Sequence, residues 1–410
     1  MATGSRPRRL LVISGTSGTN ISRVLGFLSS ELGVATAKFE DYVEEVFRAP
    51  IYHVAELLLV GYRSAAERFE KAFNAMMEDL SPSDEAVIGA HLVYYRRNNI
   101  IVSPVVALLL RSLKERSIAV IDYVDDYYHV LHRVAERAAR GETPEVTGFQ
   151  VLDPAGLIHW RGSHHSVAQL LQLQGAEVAI YASKHSRTGH ARLAAKLLGR
   201  KTEEGRSYET VYISHPITKV REKAAKEGVP LSRHPDALDI EGFKKRLEES
   251  CSHIVVYSPT TIDELIPGPD GEPLATRIER EARWPHPENG IHEYPYPVDL
   301  SSKLFDDTIY PVKRTVGNPG YLEILRSEIE ASIERRDLGY VTQADFVVAY
   351  RPSMYGTHHM GVETEIKTAI ATAKPVYSVV PPEERKVPYT LFRFEYPLAS
   401  VEELLRVLRC

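Results

Sequence analysis

Glu365 is the residue whose surroundings most suggest chemistry. It lies in Gly361-Val362-Glu363-Thr364-Glu365-Ile366. Upstream runs Ala344-Asp345-Phe346-Val347-Val348-Ala349-Tyr350-Arg351-Pro352. That apolar run, bounded by Asp and Pro, predicts a buried strand. A loop with Ser, Gly, Thr, His358 and His359 follows. Glu365, Ile366, Ala369, Ile370 and Ala373 then recur at helical spacing, Lys374-Pro375 stops the helix, and Val376-Tyr377-Ser378-Val379-Val380 reads as the next strand. Strand, polar loop and acidic helix start are the geometry of a ligand site at the carboxyl end of a parallel sheet. A helix dipole would favour the ionised form of Glu365.

A second candidate lies near the amino terminus. Leu10-Leu11-Val12-Ile13-Ser14 reads as a strand, Gly15-Thr16-Ser17-Gly18-Thr19-Asn20 as a turn, and residues 21–32 as a helix stopped by Gly33. Backbone N–H groups of such a turn, with the helix dipole, can face an anion. Against the pattern G-x-x-x-x-G-K-[ST], the second Gly is Asn20, the Lys is Ile21 and the hydroxyl residue survives as Ser22. Ile118-Ala119-Val120-Ile121-Asp122 is a strand ending in an acid, a position where a carboxylate can hold Mg²⁺.

These elements sit in a chain of 410 residues, for which two domains are the prior. Strands alternate with helices, which argues parallel α/β sheets. The polar stretch Lys201-Thr202-Glu203-Glu204-Gly205-Arg206-Ser207 predicts a linker. The expected organisation is a domain over 1–200, a linker at 201–208 and a domain over 209–410. A Pro-rich insertion at about 259–320 includes Trp284-Pro285-His286-Pro287 and Tyr294-Pro295-Tyr296-Pro297. A helix is expected over 321–335, followed by Arg336-Asp337-Leu338.

Fifty Lys and Arg against 55 Asp and Glu leave a net charge of −5, with no electrostatic reason to expect nucleic acid or an anionic membrane. No window is long and apolar enough to span a bilayer, and the first residues lack a signal-peptide cleavage pattern. Cys251 and Cys410 give no metal spacing and no disulfide framework, so Cys251 reads as a small core residue. The expected location is cytoplasmic. Scarce Asn and Gln beside plentiful Arg, Glu, Tyr and Pro form a bias seen in thermophile proteins.

Four segments in order carry a resemblance. Val211-Tyr212-Ile213-Ser214-His215-Pro216-Ile217 looks like Y-[LI]-[AS]-G-P-[IF]. Asp337-Leu338 with Ala344-Asp345-Phe346-Val347-Val348-Ala349 looks like D-L…[AS]-D-x-[VI]-[VI]-A. Gly361 to Ile366 looks like G-[TV]-x-x-E-[IL], and Ala373-Lys374-Pro375-Val376 like G-K-P-V. By these the second half resembles the nucleoside 2-deoxyribosyltransferase-like superfamily, which includes nucleotide N-glycosidases. The resemblance implies a flavodoxin-like sheet, with Glu365 as nucleophile and Tyr212 positioning it. It implies substrate contacts from Asp337, Asp345, His215, Pro216, His359 and Gly361. No cofactor is implied for that reaction, and family members often complete sites across subunits, so a homo-oligomer is possible. His215 stands where the family has Gly, and His359 where it often has Asp.

Residues 8–200 resemble the P-loop nucleotide kinases, adenylate-kinase-like ones in particular. That resemblance implies nucleotide contacts from Gly15, Gly18, Asn20, Ser22 and Asp122, with Mg²⁺ and ATP, and with Ile21 in place of the Lys. Arg96, Arg97 and Arg161 are further phosphate candidates. The leading expectation is cleavage or transfer at the N-glycosidic bond of a small nucleoside or nucleotide. The alternatives are a P-loop kinase or ATPase, and a non-catalytic nucleotide sensor or interaction protein.

Overall fold

Near-continuous apolar runs become the central strands of two parallel sheets. The computed structural model describes residues 7–96, 99–127, 129–130, 133–134, 154–262, 264, 284, 291, 319–351, 360–380 and 394–410. Arg97, His358, His359 and most of the Pro-rich insertion therefore lie outside the described residues. Contacts divide the chain into two units. The first is Met1–Ser183 with Glu264–Arg277 and Ile291–Ser332; the second is Lys184–Asp263 with Ile278–Gly290 and Ile333–Cys410. The first break falls at Ser183, ahead of the expected linker.

In the first unit the strands are β1 (Arg9–Gly15), β2 (Ala35–Lys38), β3 (Glu85–Gly89), β6 (Ser117–Val124) and β7 (Glu177–Ala182), in the order β2-β3-β1-β6-β7. All neighbouring pairs are parallel. Residues 86–94 divide between β3 and the start of a separate antiparallel hairpin, β4 (Val93–Arg96) with β5 (Asn99–Val102). Leu10, Leu11, Val12 and Ile13 are all buried, as expected of a parallel strand covered on both faces. The predicted helix Ile21–Leu32 is present and ends at Gly33. A long helix runs Pro154–Leu173.

In the second unit β8 (Glu209–Ser214), β9 (Ile254–Tyr257), β10 (Phe346–Tyr350), β11 (Val376–Val379) and β12 (Tyr396–Leu398) form a parallel sheet ordered β12-β11-β10-β8-β9. Counted along the chain this is 2-1-3-4-5, the flavodoxin-like order, and its direction reverses between β8 and β10. Strand alternation sorts the side chains. Val211, Ile213, Phe346 and Val348 join a core with Phe243 and Leu247 of helix Pro235–Ser250 and Leu404 of helix Val401–Val407. Tyr212 and Ser214 therefore face the opposite side.

Cys251 and Cys410 are joined in a disulfide, with Cα atoms 4.5 Å apart and a sequence separation of 159. Cys251 is a buried core residue, as expected, and the disulfide corrects the expectation that the two cysteines form no cross-link. Spacing could not reveal the pair, because the fold brings the last residue of the chain to the end of helix Pro235–Ser250. A cross-link closing so long a loop constrains the unfolded chain. Cys251→Ser is expected to cost about 2–4 kcal/mol in urea unfolding. Reductant should bring the parent chain to the variant's stability and leave the variant unchanged. A parent chain indifferent to reductant would refute the staple.

Candidate active site

Glu365 sits on helix Met360–Ala371 with its carboxyl group turned onto β8. The Tyr212 hydroxyl donates to its Oε1 at 2.6 Å, and the Ser214 hydroxyl donates to its Oε2. Tyr212 and Ser214 are fully buried and two residues apart, hence on one strand face near its carboxyl end. Ser214 was not singled out from the sequence as a functional residue. The available signal was the two-residue alternation running forward from Tyr212.

The expected dipole effect does not decide the state of Glu365. The helix starts at Met360, so Glu365 is its sixth residue, past the first turn in which the dipole acts. Burial dominates instead. It pushes the carboxyl up to about 8, with a further rise from the negative charge of Asp337, and the Tyr212 and Ser214 hydroxyls offset only part of this. The residue as a whole keeps some surface while its carboxyl group is enclosed. Asp337 is held 3.0 Å from the Arg336 guanidinium. It lies inside helix Pro319–Gln343 rather than after a helix ending at 335, because the apolar pattern continues to the buried Tyr340 and Val341.

The other expected contacts separate. Asp345 belongs to the opposite edge of the sheet. It precedes β10, accepts from the Thr210 backbone N–H at 2.7 Å and the Thr210 hydroxyl at 2.8 Å, and is paired with Lys196. Five strand residues put that edge about 13 Å from the end that leads toward Glu365. Its assignment as a substrate contact is corrected: it ties strand starts together. Burial alone would raise its carboxyl, but Lys196 and Thr210 outweigh burial and hold it below its ordinary value. The resulting stability is present above the ordinary carboxylate range and lost as pH falls through the lowered value. Asp345→Asn should lower Tm at neutral pH, with the deficit shrinking in acid; a pH-independent deficit would contradict the ion pair.

His215 is buried. Its Nδ1 lies 3.2 Å from the Ile213 carbonyl and its ring 5.3 Å from that of Trp284. Burial, then the nearby Lys244 charge, holds it well below its ordinary value. Pro216 caps helix Ile217–Glu227. Gly361 is exposed, four residues before Glu365, and no described atom lies near enough to require glycine there. A cavity of about 580 Å³ in this unit is lined by His185, Lys244, Ser258 and Thr260, among others, and not by Glu365.

In the first unit, Gly15 ends β1 and Gly18 adopts φ +91°, a left-handed conformation that favours glycine. The Arg133 guanidinium donates to the Gly18 carbonyl and pairs with Asp125, while Val130 and Val134 pack against Gly18. Asn20 and Ser22 are exposed, and Ile21 is buried. Asp122 is buried, with His165 Nδ1 3.7 Å from its Oδ2. Arg96 pairs with Glu56, and Arg161 with Glu264. Among the described residues no group of three or more His, Cys, Asp or Glu could hold a metal ion. The turn has no ammonium, and the near neighbour of Asp122 is an imidazole. These residues do not fit the expected Mg²⁺ site.

No family model matches the chain, and no curated protein matches it. Among solved structures it is similar to a shikimate kinase from Bacteroides thetaiotaomicron, at 13% identity over 46% of this chain and 98% of that one, with a TM-score of 0.31. It is also similar to a sugar kinase from Janibacter sp. HTCC2649, at 14% identity over 49% and 100%, with a TM-score of 0.25. Both TM-scores are too low to establish a shared fold. Among the described residues no helix is long and apolar enough to cross a membrane.

Proposed function

We propose that the second unit cleaves or transfers at the N-glycosidic bond of a nucleoside or nucleotide. One observation carries the reading: an enclosed carboxyl group, Glu365, is gripped by the hydroxyls of Tyr212 and Ser214 beside the reversal point of a flavodoxin-like sheet. A nucleophile must be aimed, and two donors to two different oxygens fix the carboxyl plane. In the reaction the ionised Glu365 attacks the anomeric carbon as the bond to the base breaks, and water or a second acceptor then releases the sugar. Asp337, paired with Arg336, adds negative potential where positive charge develops on the sugar.

The test is incubation with nucleosides, nucleoside monophosphates and NAD, followed by detection of free base. Release that disappears in Glu365→Ala supports the reading, and release that persists in that variant overturns it.

A second reading, phosphate binding by the first unit, is favoured by the glycine turn at the carboxyl edge between β1 and its helix. Titration calorimetry with ATP decides it: a binding heat lost on Gly18→Val supports this reading, and its absence removes it.

A further inference from the structure

Ser14 and Asp122 are register partners on β1 and β6, so their side chains leave the same face of the first sheet. Each meets one of two consecutive histidines on helix Pro154–Leu173. Ser14 Oγ lies 3.3 Å from His164 Nδ1, and Asp122 Oδ2 lies 3.7 Å from His165 Nδ1. Asp122 is 1% exposed, yet its Oδ2 has no hydrogen-bond partner, and neither do His165 Nδ1 and His164 Nε2. Burying a carboxyl group with an oxygen unsatisfied is costly, and such groups call for an explanation.

The two histidines differ. Burial and the neighbouring His91 push His164 down to about 3, so it stays neutral and serves the core. The His165 side chain keeps 13% exposure, while its Nδ1 edge is buried toward Asp122. The nitrogen left to meet solvent is Nε2. A buried carboxylate behind one imidazole nitrogen and solvent before the other is the arrangement that fixes a histidine tautomer for proton transfer.

We propose that His165, aligned by Asp122, is an acid–base centre of the first unit, acting on a small polar ligand that presents a hydroxyl group or a bound water at the carboxyl edge of β1 and β6. The hydroxyl proton passes to Nε2, its electron pair stays on oxygen, and the Asp122 carboxylate holds the Nδ1 proton without taking it. A small side-chain rotation closes the 3.7 Å separation to hydrogen-bond range, as such contacts do when a ligand seats. The proposal uses no residue of the Glu365 site.

The test is diethyl pyrocarbonate labelling of the full chain at neutral pH, read residue by residue by mass spectrometry. The unprotonated Nε2 attacks the reagent's carbonyl carbon and gains an ethoxycarbonyl group; the ring's Nδ1 proton leaves with the displaced ethyl carbonate, which breaks down to ethanol and carbon dioxide. The internal reference is His159, which is exposed on the same helix. His165 should label several-fold faster than His159 despite its smaller exposure, and Asp122→Asn should remove that advantage. Labelling no faster than His159, or an unchanged rate in a folded Asp122→Asn variant, overturns the proposal. Should that variant fail to fold by circular dichroism, the parent ratio of the two histidines decides alone.

Discussion

Glu365→Gln is expected to lower base release by on the order of 10³-fold or more, because the variant keeps the shape and loses the attacking oxygen. The same substitution should stabilise the protein in alkali. A carboxyl raised to about 8 in the folded state binds its proton more tightly there than in the unfolded chain. Its contribution to stability is full below the ordinary carboxylate range and is lost as pH rises through about 8. Gln carries no such titration, so the variant should gain on the parent, by a few kcal/mol on the order of the pKa displacement, when both are unfolded in urea at pH 9. Activity and stability thus move in opposite directions at one position. Parallel losses of both would mean that Glu365 is a structural acid.

Tyr212→Phe and Ser214→Ala are expected to move the alkaline rise of activity to higher pH. The parent should gain activity with a midpoint near 8, since the attacking form is the carboxylate. Each hydroxyl stabilises that form by donating to one of its oxygens. Removing either raises the carboxyl further, and each unit of displacement costs about tenfold in the ionised fraction at neutral pH. Both variants should therefore approach parental activity at pH 10 while falling well below it at pH 7. A pH–rate profile of kcat/KM measures this. Unshifted midpoints in both variants would show that the hydroxyls do not serve the carboxylate.

Much of this site was legible in the chain. Tyr212 and Glu365 stand 153 residues apart and are paired in the sequence only by the family resemblance, and the structure joins them by a hydrogen bond. Ser214 was legible only through strand alternation. Asp345 shows the limit. An acid just before a strand looks the same whether it meets a ligand or ties two strands, and only the parallel register with Thr210 separates these cases. The state of Glu365 is hidden from the sequence for a related reason. A dipole can be read from a helix start, whereas the desolvation that outweighs it depends on packing from β8 and on the position of Asp337.

Local pattern therefore determined most strands and helices and put Glu365 forward as a candidate, because apolar periodicity and turn residues act over a few neighbours. The tertiary structure decided what distance in sequence conceals: the reversal between β8 and β10 beside the Glu365 carboxyl, the enclosure that raises that carboxyl, the Cys251–Cys410 link, and the burial of Asp122 against His165. Each arises where segments far apart in the chain exclude water from one another, and no window of sequence records that.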